Sequence, residues 1–457
     1  MKYLSLLFIL LCACTSPTEK RSTSAEELPN IVLLVGDDQG YPYFGFMGAD
    51  YVETPHMDIL ANSGTLFTNG YVPDNHCRPS LATLMTGILP IQYQQRAEAT
   101  KDELMTSDSY LQLSEEEQAT WLAEYPFQSM DYFTTLPEIL AEKGYLSFQG
   151  GKWWEFNYQN GGFTHGMTEG WTPHDKENGG KWFKQFMGGS GLELARATMQ
   201  PAYDFIDLAG DTPFFLWYAP ELPHYPFDAP EKYYALYEDQ DMTESAKRYY
   251  ANCTWFDDGV GELVRYLKEQ GKFDNTLFIY VNDNGWEQEP DQEFRHDSLR
   301  WHNGGDKGKL SLFDQSFRTP IIFSWAGKIQ AGTRRADLIH SADIPATILD
   351  YLGFDVPDSY YGMSYRGVLN GERANPRASI MGNITQTRWE GDMMGRKLDG
   401  YWIRTPEWFY SYNATDSVHS LYDMVEDHRN DYNLANQQED LVAEFYAQVG
   451  AYKQSMR

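Results

Sequence analysis

Cysteine is scarce in this chain: four in 457 residues, and two of them, Cys12 and Cys14, lie in the first few turns of sequence. Only Cys77 and Cys253 remain inside, so no disulfide framework staples the fold, and it must rest on a hydrophobic core. Basic residues are also few. The 36 Lys and Arg face 66 Asp and Glu, giving a formal net charge of −30, and no run of Lys or Arg occurs. This excludes a nucleic-acid face, which needs clustered positive charge against phosphate. Internal repeats are absent. Long apolar runs are missing too: residues 4–11 form a short one behind Lys2, too short to span a membrane as a mature helix.

What is present begins at that same end. The basic residue and apolar run have the layout of a signal peptide. Leu11-Cys12-Ala13-Cys14 resembles a bacterial lipobox, which implies cleavage after Ala13 and a lipid on Cys14. Residues 15–27 are polar and rich in Ser and Thr, as a tether would be. The expected organisation is therefore a signal peptide (1–13), a lipidated cysteine and tether (14–29), a main domain (30–370) and a smaller C-terminal subdomain (371–457). The protein is expected to be exported and to meet a bacterial membrane only through its lipid, facing the periplasm or cell surface. Its acidity then reads as solubility in saline surroundings.

With 42% hydrophobic residues the chain can bury one large core or two modest ones. Continuous apolar runs at 30–36, 213–218 and 275–281 have the pattern of strands buried on both faces of a parallel sheet. Helical spacing recurs between them, at 136–144 and 247–270, and a strand and helix follow after Arg318 and Ser341. The fold class is α/β, a large mixed, mainly parallel sheet sandwiched by helices, with a small C-terminal α+β subdomain of short aromatic strands such as Tyr401-Trp402-Ile403 and a final helix ending near Met456. Residues 91–130 lack a strand signal and read as helical decoration overhanging a pocket. The Gly-rich stretch 161–166 reads as a rim loop.

Two apolar strands end in oxygen ligands, Asp37–Asp38 and Asp283–Asn284. Ligands of open α/β sheets gather at the carboxyl ends of strands. One aspartate there is ordinarily a turn or cap; two such pairs suggest a hard cation, calcium or magnesium rather than zinc. A third element is the stretch 75–87, N-H-C-R-P-S-L-A-T-L-M-T-G. Pro79 and Ser80 open a helix, Leu81, Leu84 and Met85 give it one buried face, and Gly87 ends it. Cys77 is thereby held at a helix N-terminus, which suits a reactive thiolate or an anionic ligand. The plainer alternative is a buried structural thiol.

The stretch from Cys77 resembles the sulfatase signature C-x-P-S-R-x-x-x-L-T-G, and residues 54–69 resemble the same family's T-P-x-x-D-x-L-A-x-x-G-x-x-F-T-N. The resemblance covers about residues 30–434. It implies the alkaline-phosphatase-like sulfatase fold and a cysteine oxidised by a maturation enzyme to formylglycine, whose hydrated aldehyde attacks sulfur. By the same resemblance Asp37, Asp38, Asp283 and Asn284, with the modified Cys77, hold one calcium ion. Lys152, in Gly151-Lys152-Trp153-Trp154, and Lys309 correspond to the lysines that grip sulfate, and His224 to the histidine that protonates the leaving oxygen.

Two positions depart from the family's pattern. Leu81 stands in place of an arginine, and Trp154 in place of a histidine that normally takes a hydroxyl proton. Candidate substitutes are His76, Arg78 and His302, with Arg78, Trp154 and His302 expected at the substrate. Aromatics make up 15% of the chain, and Trp153, Trp154, Trp171, Trp182 and Phe183 are either a sugar-stacking rim or core. The expected activity is hydrolysis of sulfate esters on a carbohydrate, such as an algal polysaccharide. The alternatives are a phosphate or phosphonate ester hydrolase of the same superfamily, and a non-catalytic glycan-binding relative.

Overall fold

In β1 (Asn30–Gly36) the side chains of Val32 and Leu34 enter one core while Ile31, Leu33 and Val35 enter another. This alternation shows a strand buried on both faces. The computed structural model describes residues 28–171, 180–286, 307–374, 377–390 and 393–455. Further strands of the main sheet are β2 (Thr65–Tyr71), β3 (Leu146–Gly151), β4 (His165–Gly166), β5 (Phe214–Ala219), β6 (Thr276–Asn282), β7 (Arg318–Ser324) and β8 (Thr333–His340). Their spatial order is β4-β3-β5-β1-β6-β7-β2-β8. Helices Pro55–Asn62, Gln200–Ala209 and Glu244–Glu269 cover one face, and Cys77–Thr86, Leu136–Glu142 and Asp343–Tyr351 the other.

The sheet is mixed. β4, β3, β5, β1 and β6 run parallel, β7 is antiparallel to both β6 and β2, and β8 is parallel to β2. Sequence reading misses β2 and β8, because neither is a continuous apolar run. β2 carries Thr68, Asn69 and Gly70, and β8 is an edge strand whose first half exposes Arg334 in alternation. The stretch read as a rim loop also differs: it supplies edge strand β4, and Phe163 packs against Trp153 and Phe215.

Residues 91–130 are helical as expected, in Pro90–Met105, Asp108–Leu111 and Glu115–Gln128. Only Pro90, Tyr110 and Tyr125 of these helices are buried, so they stand out from the body and rest on it at one end.

The second sheet is antiparallel, in the order β12-β11-β10-β9, from β9 (Ile380–Glu390), β10 (Met393–Arg404), β11 (Trp408–Asn413) and β12 (Val418–Asp423). One face packs Ile384, Trp402 and Phe409 on Tyr71 and Phe317 of the main domain. The other takes Phe445 and Val449 of the last helix, Glu439–Ser455. A buried polar link joins the sheets: Arg404 Nε donates to Tyr71 Oη at 2.8 Å, and Tyr71 Oη donates to Asp314 Oδ1 at 2.6 Å. Thr385 also reaches the segment before Cys77, its hydroxyl donating to Asp74 at 2.8 Å.

Candidate active site

Four adjacent parallel strands, β3, β5, β1 and β6, release their next residues at the same edge. Gly151 is in register with Ala219, and Gly36 with Asn282. Lys152, the 220–230 loop with His224, Asp37–Asp38 and Asp283–Asn284 therefore emerge side by side. Two glycines permit the close spacing. A Cβ on Gly36 would lie 2.1 Å from Asn282 Oδ1, and one on Gly151, at φ +97°, would lie 1.9 Å from the Ala219 carbonyl.

Cys77 comes from the β2 end. Its helix runs Cys77–Thr86, starting two residues before Pro79, which still sits in the first turn where a missing N–H costs nothing. Gly87 closes it at φ +66°, and Leu81, Leu84 and Met85 are buried in the core. Leu81 thus has a full structural role.

The chain brings one donor atom each of Asp37, Asp38, Cys77 and Asp283 within 4.8 Å of one another. Lys152 Nζ lies 2.5 Å from Asp37 Oδ1, 3.3 Å from Cys77 Sγ and 3.8 Å from Asp283 Oδ2. Lys309 Nζ lies 2.5 Å from Asp38 Oδ2, and His224 Nε2 lies 3.6 Å from the same oxygen. Asn284 Nδ2 donates to Asp38 Oδ1 at 2.5 Å, and the Asp38 N–H donates to Asp283 Oδ1 at 3.1 Å. Asp38 holds φ at +66°, a left-handed conformation that a non-glycine residue adopts at a cost of roughly 1–3 kcal/mol.

Burial sets the electrostatics. It drives the Asp37 carboxyl well above its usual range, with Asp283 and Asp38 adding to the rise and Lys152 opposing it. Asp283 is raised for the same reason. Asp38 is also buried, but Lys309, His224 and Lys152 overcome this and hold it at about 2. His224 is driven well below its usual value by burial and by both lysines. Lys152 is buried too, yet Asp37, Cys77 and Asp283 hold its ammonium firmly charged. The Cys77 thiol is pushed far up by burial and by Asp283. The thiolate expected from its helix-end position is therefore disfavoured here.

The oxygen donors suit a hard cation. Asp37 Oδ2, Asp283 Oδ2 and Asn284 Oδ1 are buried without a hydrogen-bond partner, a costly condition that a bound cation would relieve.

Other expected site residues divide differently. Arg78 is bound in a fork to Glu155, with Nε–Oε1 and Nη2–Oε2 both 2.8 Å. It also donates to the Pro126 carbonyl and lies over Phe127, so it ties the projecting helices to the loop after Lys152. Trp154 is 4% exposed, its ring 5.6 Å from Lys152 Nζ and edge-on to Phe186. Trp153 is core rather than rim, donating Nε1–H to Asn157 O and packing on Trp217. Trp171 is buried against Phe127 and Phe156. His76 occupies the N-cap of the Cys77 helix, with Nδ1 2.9 Å from Asn75 Oδ1. His302 and Cys14 lie outside the described residues, as do the side chains of Trp182 and Phe183. Sequence reasoning missed Arg196 and Asn252, which bind the backbone around His224; no motif marks them.

Comparison with known proteins bears on this arrangement. The sulfatase family model matches residues 29–354, and that of the N-sulphoglucosamine sulphohydrolase C-terminal region matches 305–454. The chain is 28% identical to human N-acetylgalactosamine-6-sulfatase over 367 residues, covering 74% of this chain and 64% of that protein. It thus spans under two thirds of that relative's length. A putative sulfatase from Bacteroides fragilis has a similar fold, with TM-score 0.69, 20% identity and coverage of 96% and 98%. The phosphonate monoester hydrolase of Agrobacterium radiobacter shares it too, with TM-score 0.65, 18% identity and coverage of 94% and 96%. With more than two thirds of its length matched, and with its acidic strand ends gathered around the signature cysteine, this chain belongs to the sulfatase family.

Proposed function

We propose that the protein hydrolyses sulfate esters carried on a carbohydrate. The observation that carries this reading is the meeting of Cys77 with Asp37, Asp38 and Asp283 beneath two buried or half-buried lysines. Asp37, Asp38, Asp283 and Asn284 would hold one calcium ion, which supplies charge stabilisation for the sulfuryl oxygens. Cys77, oxidised by a maturation enzyme to formylglycine, supplies the hydrated aldehyde as nucleophile. Lys152 and Lys309 orient the anionic group, and His224 Nε2 holds the proton for the leaving oxygen. His224 Nδ1 donates to the Tyr225 carbonyl at 2.5 Å, so Nε2 is the atom left for transfer. Nε2 carries a proton only in the imidazolium, which burial and both lysines disfavour and which Asp38 and the negative charge of a bound ester favour.

Charge favours a sulfate over a phosphate monoester. With Asp37, Asp38 and Asp283 ionised against Lys152 and Lys309, these groups carry one net negative charge. A divalent cation reverses it to one positive charge, which a singly charged sulfate ester neutralises and a doubly charged phosphate overshoots. The human relative's name specifies a sulfated amino sugar, which supports the carbohydrate class. Export, with a lipid on Cys14 as the only membrane attachment, completes the reading.

Mass spectrometry of the Cys77 peptide, from a host that carries the maturation enzyme, is the test. A shift from thiol to aldehyde, with aryl sulfate turned over in preference to aryl phosphate and lost in Cys77→Ala, is the expected result. An unmodified thiol in material that binds sulfated glycan without turnover would establish the non-catalytic alternative instead.

A further inference from the structure

The loop that carries His224 has no regular structure, and Pro220, Pro223, Pro226 and Pro230 remove four of its N–H groups. Its carbonyls are instead gathered by two side chains from elsewhere. Arg196 Nε donates to Glu221 O at 2.8 Å, and its Nη2 donates to His224 O at 2.9 Å and Pro226 O at 3.1 Å. Asn252, fully buried on helix Glu244–Glu269, directs Nδ2 at Pro223 O (3.2 Å), His224 O (3.4 Å) and Pro226 O (3.0 Å). Its Oδ1 accepts from Ala229 N at 3.1 Å, closing the loop's far end.

The guanidinium charge of Arg196 is already answered. Nη1 lies 2.5 Å from Asp228 Oδ1, Nε lies 3.5 Å from Glu221 Oε2, and the group stacks over Trp255. It is therefore placed to hold backbone rather than to attract an anion.

We infer that Arg196 and Asn252 are positioning residues for His224, fixing the loop so that Nε2 faces the oxygen leaving sulfur. The inference rests on His224 being the proton donor. In that step the nucleophile's oxygen bonds to sulfur as the bond from sulfur to the leaving oxygen breaks. That bond's electron pair stays on the leaving oxygen, the Nε2 proton of the imidazolium moves to it, and the ring is left neutral with its hydrogen on Nδ1. A poor leaving group such as an alkyl alcohol needs the proton; 4-nitrophenolate barely does. General acids typically supply about 10²–10⁴-fold. A donor displaced by loosened carbonyl contacts loses part of that factor, and only for the poor leaving group.

The experiment compares kcat for a sugar alkyl sulfate and for 4-nitrophenyl sulfate in wild type, Arg196→Ala, Arg196→Lys and His224→Ala. Arg196→Ala is expected to lower turnover of the alkyl ester at least about tenfold more than that of the aryl ester. Arg196→Lys, which keeps charge and stem but not the fork, is expected to fall between and remains informative where the alanine protein does not fold. In the His224→Ala background, Arg196→Lys is expected to add no further loss on the alkyl ester. Equal losses on both substrates, or a full additional loss without His224, would make Arg196 merely structural and overturn the inference. If His224→Ala itself fails to distinguish the two leaving groups, the proton-donor assignment falls, and the inference with it.

Discussion

Replacing Lys152 by methionine removes the only buried ammonium that touches both Asp37 and Cys77 among the described residues. At an effective dielectric constant of about 20, the attraction over 2.5 Å to Asp37 is about 7 kcal/mol, and over 3.8 Å to Asp283 about 4 kcal/mol. Desolvation of the charges offsets much of this, and removing one partner of a buried pair typically costs about 3–5 kcal/mol. Asp37 has a second way to shed its charge. Its folded carboxyl is already raised above the unfolded value by burial, and losing Lys152 raises it further. A raised acid contributes stability that is present at low pH and lost as pH rises through the folded value. Without divalent ion, Lys152→Met is therefore expected to be less stable than wild type by about 3–5 kcal/mol at pH 8, and by less at pH 5. Calcium is expected to recover most of the loss at pH 8, because the ion replaces the missing charge and binds only the folded site. Urea unfolding followed by tryptophan fluorescence, with EDTA or calcium at both pH values, measures this. A deficit below about 1 kcal/mol in EDTA, or one that calcium leaves unchanged, would refute the claim that these carboxylates share a cation site.

Arg78→Ala strands Glu155, whose side chain is 4% exposed, and with Arg78 itself 19% exposed the expected cost is about 2–4 kcal/mol; adding Glu155→Gln should recover over half of it in a denaturation cycle. Asp257 binds the N–H groups of His56 and Met57 at 3.1 Å and 2.7 Å, yet burial raises its carboxyl to about 7. Its contribution is thus present below the usual carboxylate range and lost as pH rises through 7, by up to about 4 kcal/mol, so Asp257→Asn should flatten the fall in stability from pH 4 to 8. Gly151→Ala, which places Cβ 1.9 Å from the Ala219 carbonyl at a positive φ, should lower stability by more than about 3 kcal/mol and abolish turnover, read by melting and aryl sulfate assay.

The sequence made the centre of the sheet legible because strands buried on both faces must be apolar throughout. Residues 30–36, 213–218 and 275–281 became β1, β5 and β6 with end errors of one residue or none. The helix after Cys77 was legible for a related reason: its apolar spacing and terminal glycine are local signals. Strands β2 and β8 were not legible, since a strand bearing polar residues or lying at an edge carries no such run. In the C-terminal subdomain the strand at Tyr401-Trp402-Ile403 and the final helix were legible, but the antiparallel pairing was not, because it depends on long-range register.

Arg78 marks where local reading ends. Its place beside Cys77 suggested a charge for the site, but Glu155, 77 residues away, receives it. Trp153 shows the same limit, since its neighbours Phe163 and Trp217 are brought in by other strands. Local sequence therefore determined which segments are strands and helices, and which residues carry ligand chemistry, because propensity and periodicity act over a few residues. Only the tertiary structure decided which of those groups meet, which charges are already spent on partners, and which side chains hold the His224 loop. Those outcomes depend on burial and on contacts between segments distant in the chain, and no local pattern encodes them.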